Sequence, residues 1–106
     1  MKITDLSNAN KVPFDLDGKI MFSDKNLEII HLHLKPGELL AKHNNPFDVI
    51  FYVLAGQGIL KIENEKKIIR ANSCIEVKSG LQRSWENNSN DSLMILVIKV
   101  WSMLPT

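Results

Sequence analysis

Histidine, arginine and a single cysteine carry most of the chemistry open to this chain. There are three histidines, His31, His33 and His43, one cysteine, Cys74, and two arginines, Arg70 and Arg83. An imidazole moves protons near neutral pH and holds metals through a ring nitrogen. A guanidinium is permanently charged and grips a carboxylate or phosphate through a planar fork. His31 and His33 stand two residues apart in an extended run, so their side chains share a face opposite Ile30, Leu32 and Leu34. Cys74 has no second cysteine to pair with. Beside Ile75 and Val77 it is expected to be a small buried hydrophobe rather than a reactive thiol. No phosphate loop, nucleophile elbow or paired-cysteine metal knuckle is present, and Gly56-Gln-Gly58 is a turn with no helix after it.

The elements that must position these residues are strands. Short runs rich in β-branched and aromatic residues alternate with turn residues, and no stretch sustains helical apolar spacing. The predicted strands are 19–22, 27–34, 39–43, 48–54, 58–63, 65–70, 73–77, 82–87 and 92–101. The pair 58–63 and 65–70 reads as a hairpin turning near Asn64. Lys35-Pro36-Gly37, Asn44-Asn45-Pro46 and Lys78-Ser79-Gly80 close others. Eight to ten strands with almost no helix make an all-β sandwich or barrel.

Two strands are apolar on both faces. In 48–54, Val49, Phe51 and Val53 alternate with Ile50, Tyr52 and Leu54; in 93–101, Leu93, Ile95 and Val97 alternate with Met94, Leu96 and Ile98. A lone antiparallel barrel keeps one face wet. A second layer is therefore expected, in the form of a homodimer with sheet-to-sheet contact; the alternative is that the segment around Val12–Phe14 folds over that face.

The segment Gly37-Glu-Leu-Leu-Ala-Lys-His43-Asn-Asn45-Pro-Phe-Asp-Val49-Ile-Phe-Tyr-Val-Leu-Ala-Gly56 resembles the first motif of the cupin superfamily, G(X)5HXH(X)3-4E(X)6G. Gly37, His43 and Gly56 match. The second motif, G(X)5PXG(X)2H(X)3N, lies on Asn72–Asn87, where Gly80 and Asn87 match. The resemblance spans about residues 27–101. It implies a double-stranded β-helix, the small jelly-roll barrel, commonly dimeric in small members. It also implies four metal-ligand positions, held here by His43, Asn45, Val49 and Arg83. Only His43 is a usual ligand there, Val49 has no donor atom, and Arg83 brings a positive charge to the place of a cation. No metal is expected at those positions.

On the register of the resemblance, His43, Asn45, Phe51, Arg83, Trp85 and Asn87 line the barrel lumen as ligand-binding residues. Arg83 is expected to hold a carboxylate or phosphate, Trp85 to stack on a sugar or planar ring, and His43 to act as acid or base. The bland alternative pairs Arg83 with a glutamate inside a closed lumen. A rebuilt divalent-metal site arises only where His31, His33 and His43 converge on the lumen; the apolar partner face of the 27–34 strand favours an outward direction for the first two. The expected function is binding of a small anionic or sugar-like ligand. A metal-dependent enzyme of dioxygenase or sugar isomerase type, and a ligand-free structural or regulatory homodimer, are the alternatives.

Composition bounds the partners. The 106 residues make one domain, 1–106, with 44% hydrophobic and 24% charged residues and a net charge of +1. Such a balance gives no general attraction to nucleic acid or anionic lipid. Lys61, Lys66, Lys67 and Arg70 are offset by Glu63 and Glu65, as on a solvated hairpin. The first ten residues lack an apolar signal core, and the longest apolar run, 93–98, is far short of the ~20 residues of a membrane helix. With an unpaired cysteine, a soluble cytoplasmic protein is expected.

Overall fold

A computed structural model describes residues 1–101 of the chain. Its strands are β1 (Asn10–Lys11), β2 (Asp17–Ser23), β3 (Glu28–Leu34), β4 (Leu39–His43), β5 (Asp48–Ala55), β6 (Gln57–Ile62), β7 (Glu65–Arg70), β8 (Cys74–Val77), β9 (Arg83–Glu86) and β10 (Leu93–Val100). They form two antiparallel sheets, one in the order β1-β2-β3-β10-β5-β8 and the other β4-β9-β6-β7. From β3 onward the chain crosses between sheets at almost every turn, which is the winding of a double-stranded β-helix. The predicted strands are all present. The added feature is the short β1, paired to a β2 that starts at Asp17 instead of Lys19.

Turn chemistry sets the crossings. Glu63 takes a left-handed φ of 52° in the β6–β7 hairpin, beside the predicted turn residue Asn64. Gly37 and Gly56 take φ of 86° and 80°, a region that side chains with a Cβ avoid. Gly37 stands in open space, whereas a Cβ on Gly56 would lie 2.2 Å from the carbonyl oxygen of Ser92.

The core lies between the sheets. Strict alternation buries Ile30, Leu32 and Leu34 of β3, Val49, Phe51 and Val53 of β5, and Leu93, Ile95 and Val97 of β10. Across from them Trp85 of β9 meets Phe51 edge to face, with centroids 5.5 Å apart. Val12 is buried in this same core, its amide bonded to the Gly18 carbonyl. The N-terminal segment therefore turns into the core at Val12 and does not cover the outer face of the large sheet, contrary to the alternative drawn from the sequence. That outer face carries Ile29, Ile50, Tyr52, Met94, Leu96 and Ile98, all part-exposed. Cys74 is exposed rather than buried. It sits on the outer face of the edge strand β8, paired in register with Tyr52, while its neighbours Ile75 and Val77 point inward.

Candidate functional site

Between the sheets lies a cavity of about 470 Å³. One wall comes from β4, β9 and the turn after β4, and holds the polar groups. A bulge in β4 decides their aim: Leu40 pairs with Trp85, yet His43, three residues on, pairs with Arg83. The extra residue keeps His43 on the inner face that a regular strand would have denied it. The opposite wall comes from β3, β5 and β10 and is formed by Ile30, Leu32, Val49, Phe51 and Val97. Phe14 and Leu16 of the β1–β2 loop and Leu39 of β4 border the mouth.

Arg83 is 0% exposed. Its Nε donates to the Leu81 carbonyl at 3.0 Å and its Nη2 to the Lys78 carbonyl at 3.4 Å. With the Asn45 amide turned so that both its ends are satisfied, Nη1 donates to Asn45 Oδ1 at 3.2 Å and Asn45 Nδ2 donates to the Asn44 carbonyl at 3.1 Å. All three acceptors are neutral. No carboxylate of the described residues pairs with Arg83, so the glutamate partner of the bland alternative is absent among them. Burial pushes the guanidinium pKa down, yet a guanidinium stays protonated in proteins. The result is a buried positive charge with its hydrogen bonds partly met and its charge uncompensated. His43 Nδ1 lies 2.9 Å from the Ala41 carbonyl. A carbonyl only accepts, so Nδ1 carries the hydrogen and the neutral ring keeps Nε2 as an acceptor.

Four of the six residues expected at the lumen, His43, Asn45, Phe51 and Arg83, meet at this cavity. Trp85 and Asn87 do not. Trp85 shares the inner face of β9 but sits one layer deeper, packed against Phe51, and offers no stacking platform. Asn87 is fully buried as a staple of the loops: Nδ2 donates to the carbonyls of Leu34 and Asp91, and Oδ1 accepts from the amide and hydroxyl of Ser89. The sequence reading missed Phe14 and Leu16, for which no local signal exists. Ile30 and Leu32 were visible only as the apolar face of a strand.

His31 and His33 do not converge with His43. They stand on the outer face of β3, opposite the cavity-lining Ile30 and Leu32. His33 is held by Asp17 at 3.2 Å and by Ser92 Oγ at 2.8 Å. Among the described residues no three His, Cys, Asp or Glu side chains are grouped to hold a metal ion. The rebuilt triad is therefore corrected. The four positions at which the resemblance implies a metal fare no better, since Val49 lines the cavity with methyl groups and Arg83 sets its charge beside His43. These residues do not fit the metal of the family.

His31 lies between Lys19 of β2 and Leu96 of β10, with His33 two residues along and Asp17 beside that. Burial, above all, lowers its pKa from the ordinary 6.5, and nearby His33 lowers it further. A histidine with a depressed folded-state pKa binds fewer protons folded than unfolded. Stability should therefore be full above pH 6.5 and fall as the pH drops through the window beneath it. Urea titrations at pH 7.5 and 5.5 should show a smaller loss for His31→Gln than for the parent; equal losses would assign the acid sensitivity elsewhere.

Residues 30–99 match the family model of the cupin domain. The chain belongs to the cupin family. Solved structures agree in fold. A predicted oxalate decarboxylase from Thermotoga maritima superposes with a TM-score of 0.84 at 18% identity, covering 93% of this chain and 98% of that one. KdgF from Halomonas sp. gives 0.80 at 16% identity, covering 94% of each chain. An RmlC-like cupin with a double-stranded β-helix fold from Methanocaldococcus jannaschii gives 0.81 at 19% identity, covering 94% of this chain and 90% of that one. No curated protein matches the sequence. Among the described residues no helix is long and apolar enough to cross a membrane.

Proposed function

We propose that this cupin binds a small organic anion in its barrel without a metal. The observation that carries this reading is Arg83, buried beside a cavity of about 470 Å³ with only neutral hydrogen-bond partners. An unpaired charge held away from water costs several kcal/mol, and an anion entering the cavity would offset that cost. His43, at the same wall, supplies a polar atom that orients it. The apolar wall excludes water and strengthens the attraction. One similar structure is described as a predicted oxalate decarboxylase, which is in keeping with a carboxylate-sized guest; at 18% identity the likeness itself speaks for the fold. A thermal-shift series with small carboxylates tests the reading. A ligand at ~100 times its Kd adds about 2.7 kcal/mol to stability, which raises the melting temperature by several degrees. A series in which no carboxylate, phosphate or sugar acid raises it would overturn the reading and leave a ligand-free barrel.

The outer face of the large sheet supports a second element of the proposal, a homodimer. Ile29, Ile50, Leu96 and Ile98 form its centre, flanked by Lys19 on β2 and Glu76 on β8. A two-fold axis parallel to β10 lays the β2 flank of one copy over the β8 flank of the other, so Lys19 approaches Glu76 on both sides. The strands β2, β3, β10, β5 and β8 average about seven residues and give a footprint of roughly 500–600 Å². With side-chain relief this nears the ~800 Å² per partner of a standard interface. Light scattering should give twice 12.0 kDa, and Leu96→Glu should weaken association at least ~100-fold by burying like charges face to face. A monomer at all micromolar concentrations would reject the dimer and leave the anion site standing.

A further inference from the structure

The two walls of the cavity differ in chemistry, and the difference bears on the rest of the ligand beyond its charge. We infer that the ligand is a monocarboxylate with an apolar body, an alkyl or aryl carboxylic acid, seated with its carboxylate on Arg83 in the place now taken by the Asn45 side-chain oxygen. The inference rests on the anion-binding reading and narrows it.

The charge count selects a monoanion. Arg83 is the buried cation of the cavity. Lys99, which also lines it, is already paired with Glu28 at 3.4 Å. Lys42 and Asp15 both stand exposed at the rim, in water rather than in the buried part of the cavity. A phosphate dianion would bring a second charge with no buried partner.

The donor count leaves room for one carboxylate. A guanidinium has five N–H groups. One on each nitrogen is spent, on Leu81, Lys78 and Asn45. One N–H remains on each terminal nitrogen. Asn45 Oδ1, 3.2 Å from Nη1, is a neutral oxygen standing where an anionic one would bind more strongly. Asn45 lies past the end of β4 and is half-buried, so it is the partner that can yield.

The opposite wall selects the body. Ile30, Leu32, Val49, Phe51 and Val97 offer no side-chain donor or acceptor. Hydroxyls of a sugar acid turned toward them would lose their water and gain nothing. Trp85, expected to stack on a sugar ring, lies outside the cavity. The apolar surface continues outward through Phe14 and Leu39, 46% and 54% exposed at the mouth. A chain too long for the cavity can therefore leave along them.

Calorimetric titration of the full chain with acetate, butyrate, hexanoate, gluconate and inorganic phosphate tests this. Affinity should rise about fourfold per added methylene, the factor that ~0.8 kcal/mol per buried CH₂ gives. Gluconate and phosphate should bind at least ~10-fold more weakly than hexanoate. If gluconate or phosphate equals hexanoate, and Arg83→Met abolishes both, the anion site stands and the apolar body is wrong. If nothing binds, the anion site itself falls. Asn45→Asp places a carboxylate beside Arg83 from within. It should raise the melting temperature and cut hexanoate binding at least ~100-fold. An Asn45→Asp protein that binds hexanoate as the parent does would overturn the assigned seat.

Discussion

Exchanging Arg83 for methionine should abolish binding of small organic anions while the barrel still folds. The guanidinium is 0% exposed and bonded only to neutral oxygens. Charge-assisted bonds to an anion in such a place are worth ~2–5 kcal/mol, so affinity should fall at least ~30-fold. Two opposing terms act on stability. Methionine removes a buried, uncompensated charge and fills a similar volume, which stabilises. It also strips the carbonyls of Leu81 and Lys78 of a donor, which costs ~1–3 kcal/mol each where they stay dry. The net change should stay within about 2 kcal/mol, small enough for the variant to be titrated as a folded protein. Arg83→Lys should fall between, because an ammonium keeps the charge and loses the fork. Calorimetry with hexanoate, beside urea unfolding, reads both quantities. Binding that survives Arg83→Met undiminished would place the anion somewhere else.

The second large effect is on folding. Gly56→Ala should cost about 4 kcal/mol or more, whereas Gly37→Ala should cost about 1–2. Both glycines are left-handed, with φ of 80° and 86°, so an L-residue is penalised by ~1–2 kcal/mol at either. The difference is what a Cβ meets. At Gly37 it meets nothing within 4 Å; at Gly56 it would lie 2.2 Å from the Ser92 carbonyl oxygen. That oxygen belongs to backbone just before β10, which is clamped between β3 and β5. No rotamer relieves the clash, so the central strand must shift. At ~4–8 °C per kcal/mol for a domain of this size, the melting temperature should drop by roughly 20 °C or the chain should fail to fold. Similar losses for the two variants would show that backbone conformation alone governs both positions.

Much of the barrel was legible because strands write their period into the sequence. The alternation in β3, β5 and β10 identified the buried faces, and the resemblance to the cupin motifs carried by Gly37, His43, Gly56, Gly80 and Asn87 implied the winding. It also placed His31 and His33 on a face of their own, opposite Ile30, Leu32 and Leu34. The site was less legible. Arg83, Trp85 and Asn87 follow one another at intervals of two and share an inward direction, yet only Arg83 reaches the cavity. Trp85 packs a layer deeper against Phe51, and Asn87 is taken up by Leu34, Ser89 and Asp91. Cys74 was misplaced because its inward-facing neighbours say nothing about the edge position of β8.

By itself the sequence determined the all-β architecture, a matter of residue type and alternation, and its resemblance to the cupin motifs implied the family of the barrel and the valine and arginine at two of its metal-ligand positions. Tertiary structure decided the depth of each inward side chain, the bulge that turns His43 toward Arg83, the descent of Val12 into the core, and the want of a described carboxylate beside Arg83. The physical reason is that a strand's period tells which face a side chain takes. How far along the barrel it lies, and what waits across the gap, depend on strands distant in the chain whose register no local pattern encodes.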